Sequence, residues 1–356
     1  MHNNARETLT ADAPRVGAQA VIAVAGAGSI GCYVGGCLGL AGRRVTFLMR
    51  PALAEAIGRY GMRISDLDGA DRTLAAGTVE LTSDPASAFA RADVVLVTVK
   101  SGATEEMAGL IARHARPGAI VVSLQNGVGN VDRLRAQLEA KSPVVGGMVP
   151  CNVVQTREAD GRPRFHRATS GTLLIGSGVA GLCSLLDVAG VAVAERANIA
   201  ALQWGKLLFN LNNPVNALSG LPLRDELLQR GYRRCFAALI DEAIAALNAA
   251  GIAPAQLAAL PARKLPTVLR LPNWLFTRVA ARMLRIDEKA RSSMADDLAL
   301  GRRTEVDAFC GEVVRLAQAH GRAAPRNAKM VELLDGGWPT PPARLSSRAL
   351  CAALGL

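Results

Sequence analysis

Apolar and polar positions follow two different rhythms along this chain. Up to about Ala197 the apolar residues come in short unbroken runs of buried-strand type: Val21–Ala25, Val45–Met49, the run from Asp93 to Val99, and Ile120–Leu124. Segments of helix length separate them, so the pattern predicts strands alternating with helices around a parallel sheet. Val144-Val145-Gly146-Gly147 and Gly171–Gly176 read as strands closing the same domain. Beyond Ala197 the rhythm lengthens to helical spacing. Tyr232–Ala250 is an amphipathic helix pattern ended by Gly251, and Asp307–His320 is another, ended by Gly321. Pro261, Pro266 and Pro272 break the stretch between them. Leu271–Ile286 is apolar on one face but carries Arg278, Arg282 and Arg285, which fits a half-buried helix. The expected fold class is α/β: an N-terminal Rossmann-like, doubly wound sheet domain over residues 20–197, then an all-α domain over 198–356. Residues 1–19 lack periodicity and read as a flexible extension.

One stretch tests this reading. No charge occurs from Val16 to Gly42, long enough to raise a membrane span or a signal sequence. Six glycines between Gly26 and Gly39 interrupt it, and a signal peptide would carry positive charge nearer its start, so neither is expected.

The chain has 356 residues, half of them hydrophobic, which is enough for two cores. Its formal net charge of +11 raises the question of nucleic acid. The arginines that dominate that charge are scattered in ones and twos, as at Arg43-Arg44, Arg233-Arg234 and Arg302-Arg303, and aromatics make up only 4%. Nucleic-acid binding needs a concentrated patch, so an acidic small molecule suits the charge better. Seven cysteines form no C-x-x-C pair, which reads as reduced thiols in the cytoplasm. His2, His114, His166 and His320 stand far apart, and no metal-ligand motif is seen.

Within the uncharged run, Gly26-Ala27-Gly28-Ser29-Ile30-Gly31 matches G-x-G-x-x-G between a strand and a small-residue helix. The first glycine permits the tight turn and the second lets backbone approach a pyrophosphate. The third lets helix and strand pack closely, and the helix N-terminus supplies amide donors. The acidic residue that would hold the ribose 2′-hydroxyl of NAD belongs near position 50, where Arg50 stands instead. Arginine there suits a 2′-phosphate, so NADPH/NADP+ is the expected cofactor. Two further strands run into polar residues, one into Lys100 and the other into Gln125 and Asn126. At the carboxyl ends of a parallel sheet, those side chains should face the cofactor crevice.

In the second half, WGKLLFNLNNP (Trp204–Pro214) places a scarce lysine among leucines. On a helix, Asn210 and Asn213 fall within about 40° of Lys206, while Leu207, Leu208 and Leu211 point elsewhere. Either this is a wet outer stripe, or an ammonium and two amides point into a cavity.

GAGSIG, VTVKS, LQNGVGNVDRL, WGKLLFN and RSSMADDLALGRRTEVD, in that order from Val21 to Leu334, resemble the ketopantoate reductase (2-dehydropantoate 2-reductase) family. The resemblance implies NADPH-dependent reduction of the 2-keto group of ketopantoate, a step towards pantothenate and coenzyme A. By that likeness Lys206 is the catalytic lysine and Asn210 the amide one turn on. Ser293 and Glu305 match substrate-binding residues, and Lys100 and Asn126 match polar residues at the cofactor–substrate junction. Asn126, Asn210, Asn213, Ser293 and Glu305 are the expected substrate contacts, and residues 26–31, Arg50, Lys100, Gln125 and Asn126 the expected cofactor contacts. The family's second asparagine, followed by proline, commonly stands eight residues after the lysine; here Asn213-Pro214 comes after seven, leaving Asn212, Asn213 and Asn216 as candidates for that role. The segment from Asp225 to Arg291 is also long for the family.

The chemistry agrees. Hydride delivered to a ketone leaves charge on oxygen that must be protonated, and a lysine in apolar surroundings, its ammonium disfavoured by desolvation, can act as the acid. Glu305 would accept from a substrate hydroxyl and Ser293 donate to a carboxylate. The expected partner is thus a small 2-keto acid bound between the domains, with no nucleic acid, no membrane, and a homodimer left open. The alternatives are a sister reductase of another 2-keto acid and a non-catalytic NADPH sensor.

Overall fold

The computed structural model describes residues 14–257, 260–281, 284 and 287–356. Arg282 and Arg285, and residues 1–13 of the expected extension, lie outside them. The chain divides into two compact units: the first runs to Ile199 without Gly127–Gly129, and the second comprises Gly127–Gly129 and Ala200–Leu356.

Among its described residues the first unit has twelve strands: β1 (Val21–Ala25), β2 (Arg44–Leu48), β3 (Met62–Asp66), β4 (Asp71–Leu74), β5 (Glu80–Thr82), β6 (Val94–Val97), β7 (Ile120–Ser123), β8 (Val144–Met148), β9 (Val153–Arg157), β10 (Pro163–Arg167), β11 (Leu173–Gly176) and β12 (Val193–Arg196). Eight form one sheet in the order β12-β11-β8-β7-β6-β1-β2-β5. It is parallel except where β11 runs against β8. The runs expected as strands supply β1, β2, β6, β7, β8 and β11. From β1 the chain builds outwards through β2 and β5, then returns to lay β6 on the other side of β1. That reversal is a topological switch point, where ligands bind beyond the strand ends.

A second sheet, in the order β4-β3-β10-β9, was not expected from the sequence. Its strands are short and arginine-rich; burial alternates in β10, where Phe165 lies between half-buried Arg164 and His166, while β9 is exposed from Val154 to Arg157. This sheet explains the uncharged run. The helix Ser29–Leu40 packs against both sheets and is buried from Gly31 to Gly39. A Cβ on Gly35 would stand 2.5 Å from the Phe47 ring in the main sheet, and one on Gly36 would stand 2.7 Å from Ile64 in the second. Charge has nowhere to go on such a helix. Part of the expected N-terminal extension is also structured: Val16 donates to the carbonyl of Ala180, and Ala180 to that of Pro14.

The second unit is helical throughout its described residues. The helix Arg230–Ala249 is its central element, packed by the helices Asn212–Ser219, Leu265–Leu269, Glu312–Ala319, Pro325–Asp335 and Ser347–Ala353. Its core gathers Leu207, Leu208, Leu211, Phe236, Ile240, Phe276 and Phe309. Arg233, one of the scattered arginines, is fully buried. Its guanidinium donates to the carbonyls of Leu227 (2.8 Å), Leu269 (3.0 Å) and Leu271 (2.8 Å) and to Asn273 Oδ1 (2.9 Å), and stacks on Phe276. A planar fork with five donors suits this position, and it ties the long middle segment to the central helix. Leu271–Ile286 contains a shorter helix than expected, Asn273–Val279, begun by Pro272. No helix among the described residues is long and apolar enough to cross a membrane.

Candidate active site

In the first unit the loop Gly26–Gly31 leaves β1 at the switch point. Gly26 has φ +86°, and a Cβ there would collide with Val99 in the loop after β6. A Cβ on Gly31 would come within 2.5 Å of Thr98 Oγ1, so helix and strand ends touch directly. Gly28 differs: nothing lies within 4 Å of where its Cβ would be, and it opens the helix Ser29–Leu40. The three glycines therefore divide into two that the fold needs and one facing open space beside the unpaired first amides of a helix. That is the arrangement a pyrophosphate requires. Thr98 Oγ1 donates to the carbonyl of Gly26 (2.8 Å), welding the two loops together.

The other residues expected at the cofactor fall into separate groups. Arg50 is exposed two residues beyond β2, as the N-cap of the helix Pro51–Tyr60, and no carboxylate among the described residues pairs with it. Lys100 is exposed at the start of the short turn Ser101–Ala103. Asn126 is half-buried. Gln125 departs from expectation, because its side chain is buried and spent on the scaffold. Its Nε2 donates to Val99 O (3.1 Å) and Thr104 Oγ1 (2.7 Å), and its Oε1 accepts from Ser123 Oγ (3.0 Å). It strengthens the wall of the site, leaving only its backbone to face a ligand.

The same network holds residues that sequence reasoning missed. Thr104 Oγ1 donates to Asn130 Oδ1 (2.9 Å), while Asn130 Nδ2 donates to Ser101 Oγ (3.0 Å) and to Asn126 O (2.6 Å). Ser101 Oγ also donates to Asn126 O (3.1 Å). Each donor finds an acceptor, so the loops after β6 and β7 are fixed relative to one another. A visible signal was Asn130 at the start of a helix four residues after Asn126, where a polar side chain bonds back to the chain before it.

In the second unit, Ile199–Asn210 and Asn212–Ser219 are consecutive helices joined through Leu211, which keeps right-handed helical angles. Lys206, Asn210 and Asn213 are all half-buried, whereas Leu207, Leu208 and Leu211 are buried. The three polar groups thus occupy the edge of the helical core. Asn212 and Asn216 do not share that edge. Both are buried, and both donate to one oxygen of Glu226, at 2.9 and 3.4 Å. Of the three candidates for the second amide, Asn213 alone stands outside this cluster.

Ser293, exposed, is the first residue of the helix Ser293–Ala299. Its neighbour Ser292 is the N-cap, accepting from Ala295 N (3.2 Å), and is buried. Ser292 N donates to Asn216 Oδ1 (2.9 Å) and Ser292 Oγ to Asn213 O (3.2 Å), which brings the stretches carrying Ser293 and Asn213 together. Glu305 is half-buried immediately before the π-helical turn Asp307–Gly311. Such turns re-aim side chains and concentrate at functional positions. Glu226 and Ser292 gave no motif of their own. Burial pushes the Glu226 carboxyl up to about 8, against the smaller opposing effect of the two amides.

Two family models cover most of the chain. One, described as Ketopantoate reductase PanE/ApbA, matches residues 22–179, and its C-terminal counterpart matches residues 198–337. The chain belongs to the ketopantoate reductase family. It is therefore an oxidoreductase acting on CH–OH groups, built on the family's Rossmann-like and helical domains. A 2-dehydropantoate 2-reductase of Halobacterium salinarum is 28% identical over 333 residues, covering 88% of this chain and 97% of that protein. A PanE/ApbA family ketopantoate reductase from Ralstonia eutropha JMP134 superposes with a TM-score of 0.72 at 29% identity, covering 94% of this chain and 99% of that one. The fold also matches D-mandelate dehydrogenase in its ternary structure with NADH and anilino(oxo)acetate, with a TM-score of 0.69 and 18% identity over 94% of this chain and 99% of that one.

Proposed function

We propose that this chain reduces the 2-keto group of ketopantoate to a hydroxyl with NADPH, with Lys206 as the general acid. The observation that carries the reading is the half-burial of Lys206, Asn210 and Asn213 on two consecutive helices whose leucines Leu207, Leu208 and Leu211 belong to the core. Bound NADPH supplies the hydride. The Lys206 ammonium donates a proton to the carbonyl oxygen as charge develops on it, and the amides of Asn210 and Asn213 orient the ammonium and that oxygen. Ser293 Oγ donates to the substrate carboxylate, and Glu305 accepts from its hydroxyl. On the cofactor side, the open face of Gly28 and the helix N-terminus fit the pyrophosphate, while Lys100 and Asn126 flank the loops that hold it. Arg50, exposed and without a carboxylate partner, fits a 2′-phosphate.

Steady-state oxidation of NADPH and of NADH with ketopantoate, for wild type and Arg50→Ala, tests both halves of the reading. Wild type should favour NADPH, and the substitution should raise the KM for NADPH about tenfold, the loss of a charge-assisted contact, while leaving that for NADH unchanged. Equal effects on both cofactors would remove the 2′-phosphate assignment, and no turnover with ketopantoate would remove the substrate. Reduction of a different 2-keto acid is the second reading. The short NLNNP spacing favours it, as does the middle segment anchored on Arg233. A panel of 2-keto acids in the same assay decides between them.

A further inference from the structure

The buried carboxyl of Glu226 lies outside the substrate contacts just proposed, yet it organises two of them. Glu226 stands on the helix Leu223–Leu228 and is completely buried. Its Oε2 accepts from Asn212 Nδ2 and Asn216 Nδ2, while Oε1 has no partner, nor does Asn212 Oδ1. Asn216 passes the constraint on: its Nδ2 also donates to Leu221 O (2.9 Å), and its Oδ1 accepts the backbone N–H of Ser292. Ser292 in turn donates to the backbone of Asn213 and caps the helix that begins with Ser293.

We propose that Glu226 is a positioning residue for the keto acid: by holding the amides of Asn212 and Asn216, its carboxyl sets where Asn213 and Ser293 stand. The inference rests on the reading that Asn213 and Ser293 contact substrate.

The surroundings of the carboxyl favour the neutral acid as its working form. Two donors converge on one oxygen and none reaches the other, well short of the four acceptor sites that a buried carboxylate presents. Burial acts in the same direction, raising the group to about 8. Among the described residues no cation offsets a charge here. The helix Asn212–Ser219 carries no ionisable residue. From the central helix, the Tyr232 phenol and Cys235 thiol face Glu226, and both are themselves pushed upwards by burial. Arg233 on that helix is turned to backbone carbonyls. On the Glu226 helix, Arg224 pairs with Glu288, and Arg291, before Ser292, pairs with Asp296. Ionisation would therefore place a lone carboxylate in the core, and the new demand for donors at Oε1 would draw the amides from the positions that set the Asn216–Ser292 contact.

The test compares wild type, Glu226→Gln and Glu226→Leu in full-length protein, measuring the KM for ketopantoate from neutral to alkaline pH together with kcat and the Kd of NADPH. Glutamine copies the neutral acid's shape and keeps a carbonyl for the two amides; leucine removes it. The expected result is a wild-type KM that climbs about tenfold above pH 8 while the Kd of NADPH stays level, from loss of a hydrogen-bonded substrate contact. Glu226→Gln should keep the neutral-pH KM and flatten that climb, and Glu226→Leu should show the high KM at every pH. A pH-dependent KM surviving in Glu226→Gln overturns the inference, as does a Glu226→Gln that matches Glu226→Leu. If Glu226→Leu fails to fold, the Glu226→Gln profile alone decides. Ser293→Ala and Asn213→Ala separate the two levels. If they raise KM but the Glu226 variants do not, only the inference falls; if they leave KM unchanged, the substrate reading falls and takes the inference with it.

Discussion

The glycine loop of the first unit and the asparagine cluster of the second are built on opposite terms. In the loop, function depends on side chains that are missing: Gly26 and Gly31 let backbone and strand ends touch, and Gly28 leaves space open. In the cluster, polar side chains are the connecting material, and hydrogen bonds run from Asn212 and Asn216 to Glu226 and from Ser292 to Asn216 across core. A loop of the first kind is defended by sterics and tolerates changes of pH. A cluster of the second kind has a titratable group at its centre and depends on its protonation. The comparison can be broken in three places.

The largest effect belongs to Lys206. Replacing it with Ala removes a half-buried side chain at the edge of the core, so unit two should remain folded while kcat falls by about 10²–10⁴, the usual consequence of losing a positioned acid. NADPH affinity should not move, because the glycine loop belongs to the other unit. Rapid-mixing turnover beside a fluorescence titration of NADPH measures the two separately. Near-normal turnover would remove the lysine from the mechanism.

Next come the glycines, where the loop's logic makes two variants behave oppositely. Gly31→Val pushes a branched side chain into Thr98 and Val24, and overpacking of this kind costs about 1–3 kcal/mol. Gly28→Ala meets nothing within 4 Å, so thermal unfolding should be unchanged while NADPH binding weakens about tenfold through blocked backbone approach. Should Gly28→Ala lose as much stability as Gly31→Val, the open face is packing space and not a cofactor surface.

These two regions also differ in how far the sequence disclosed them. G-x-G-x-x-G and the polar strand ends were readable because each is a local demand written in consecutive residues; the strand order that makes the switch point was not. Gln125 was readable as a position but not as a role, since only the fold shows Ser123, Val99 and Thr104 closing around its amide. Helical spacing separated Lys206, Asn210 and Asn213, which are half-buried, from the buried Leu207, Leu208 and Leu211, but did not show the helix break at Leu211. The partnership of Asn216 with Ser292 was not readable, because it spans 76 positions and neither residue type announces a partner. Arg233 escaped for the same reason: its acceptors are backbone carbonyls, which have no signature in sequence. The second sheet escaped because its strands are short, rich in polar residues and without a shared apolar alternation.

The smallest effect per step, and the one that most sharply separates the two regions, is the pH dependence of stability. Glu226 in the folded chain titrates near 8, above its ordinary value of 4.5. Below about pH 4.5 both folded and unfolded chains hold the proton, and the group contributes nothing to the balance. Between there and about pH 8 the folded chain keeps a proton that the unfolded chain has released, so rising pH favours unfolding, by up to about 1.4 kcal/mol per unit from this group. Above that interval both forms have lost it and the penalty is complete. Glu226→Gln has no such proton. The difference in unfolding free energy between Glu226→Gln and wild type, from urea titrations across the interval, should therefore grow steadily in favour of the variant. Gly28→Ala, which alters no ionisable group, should run parallel to wild type throughout. A Glu226→Gln line equally parallel to wild type would mean that the carboxyl ionises in the fold as freely as in the unfolded chain, and the asparagine cluster would then be no more sensitive to protons than the glycine loop.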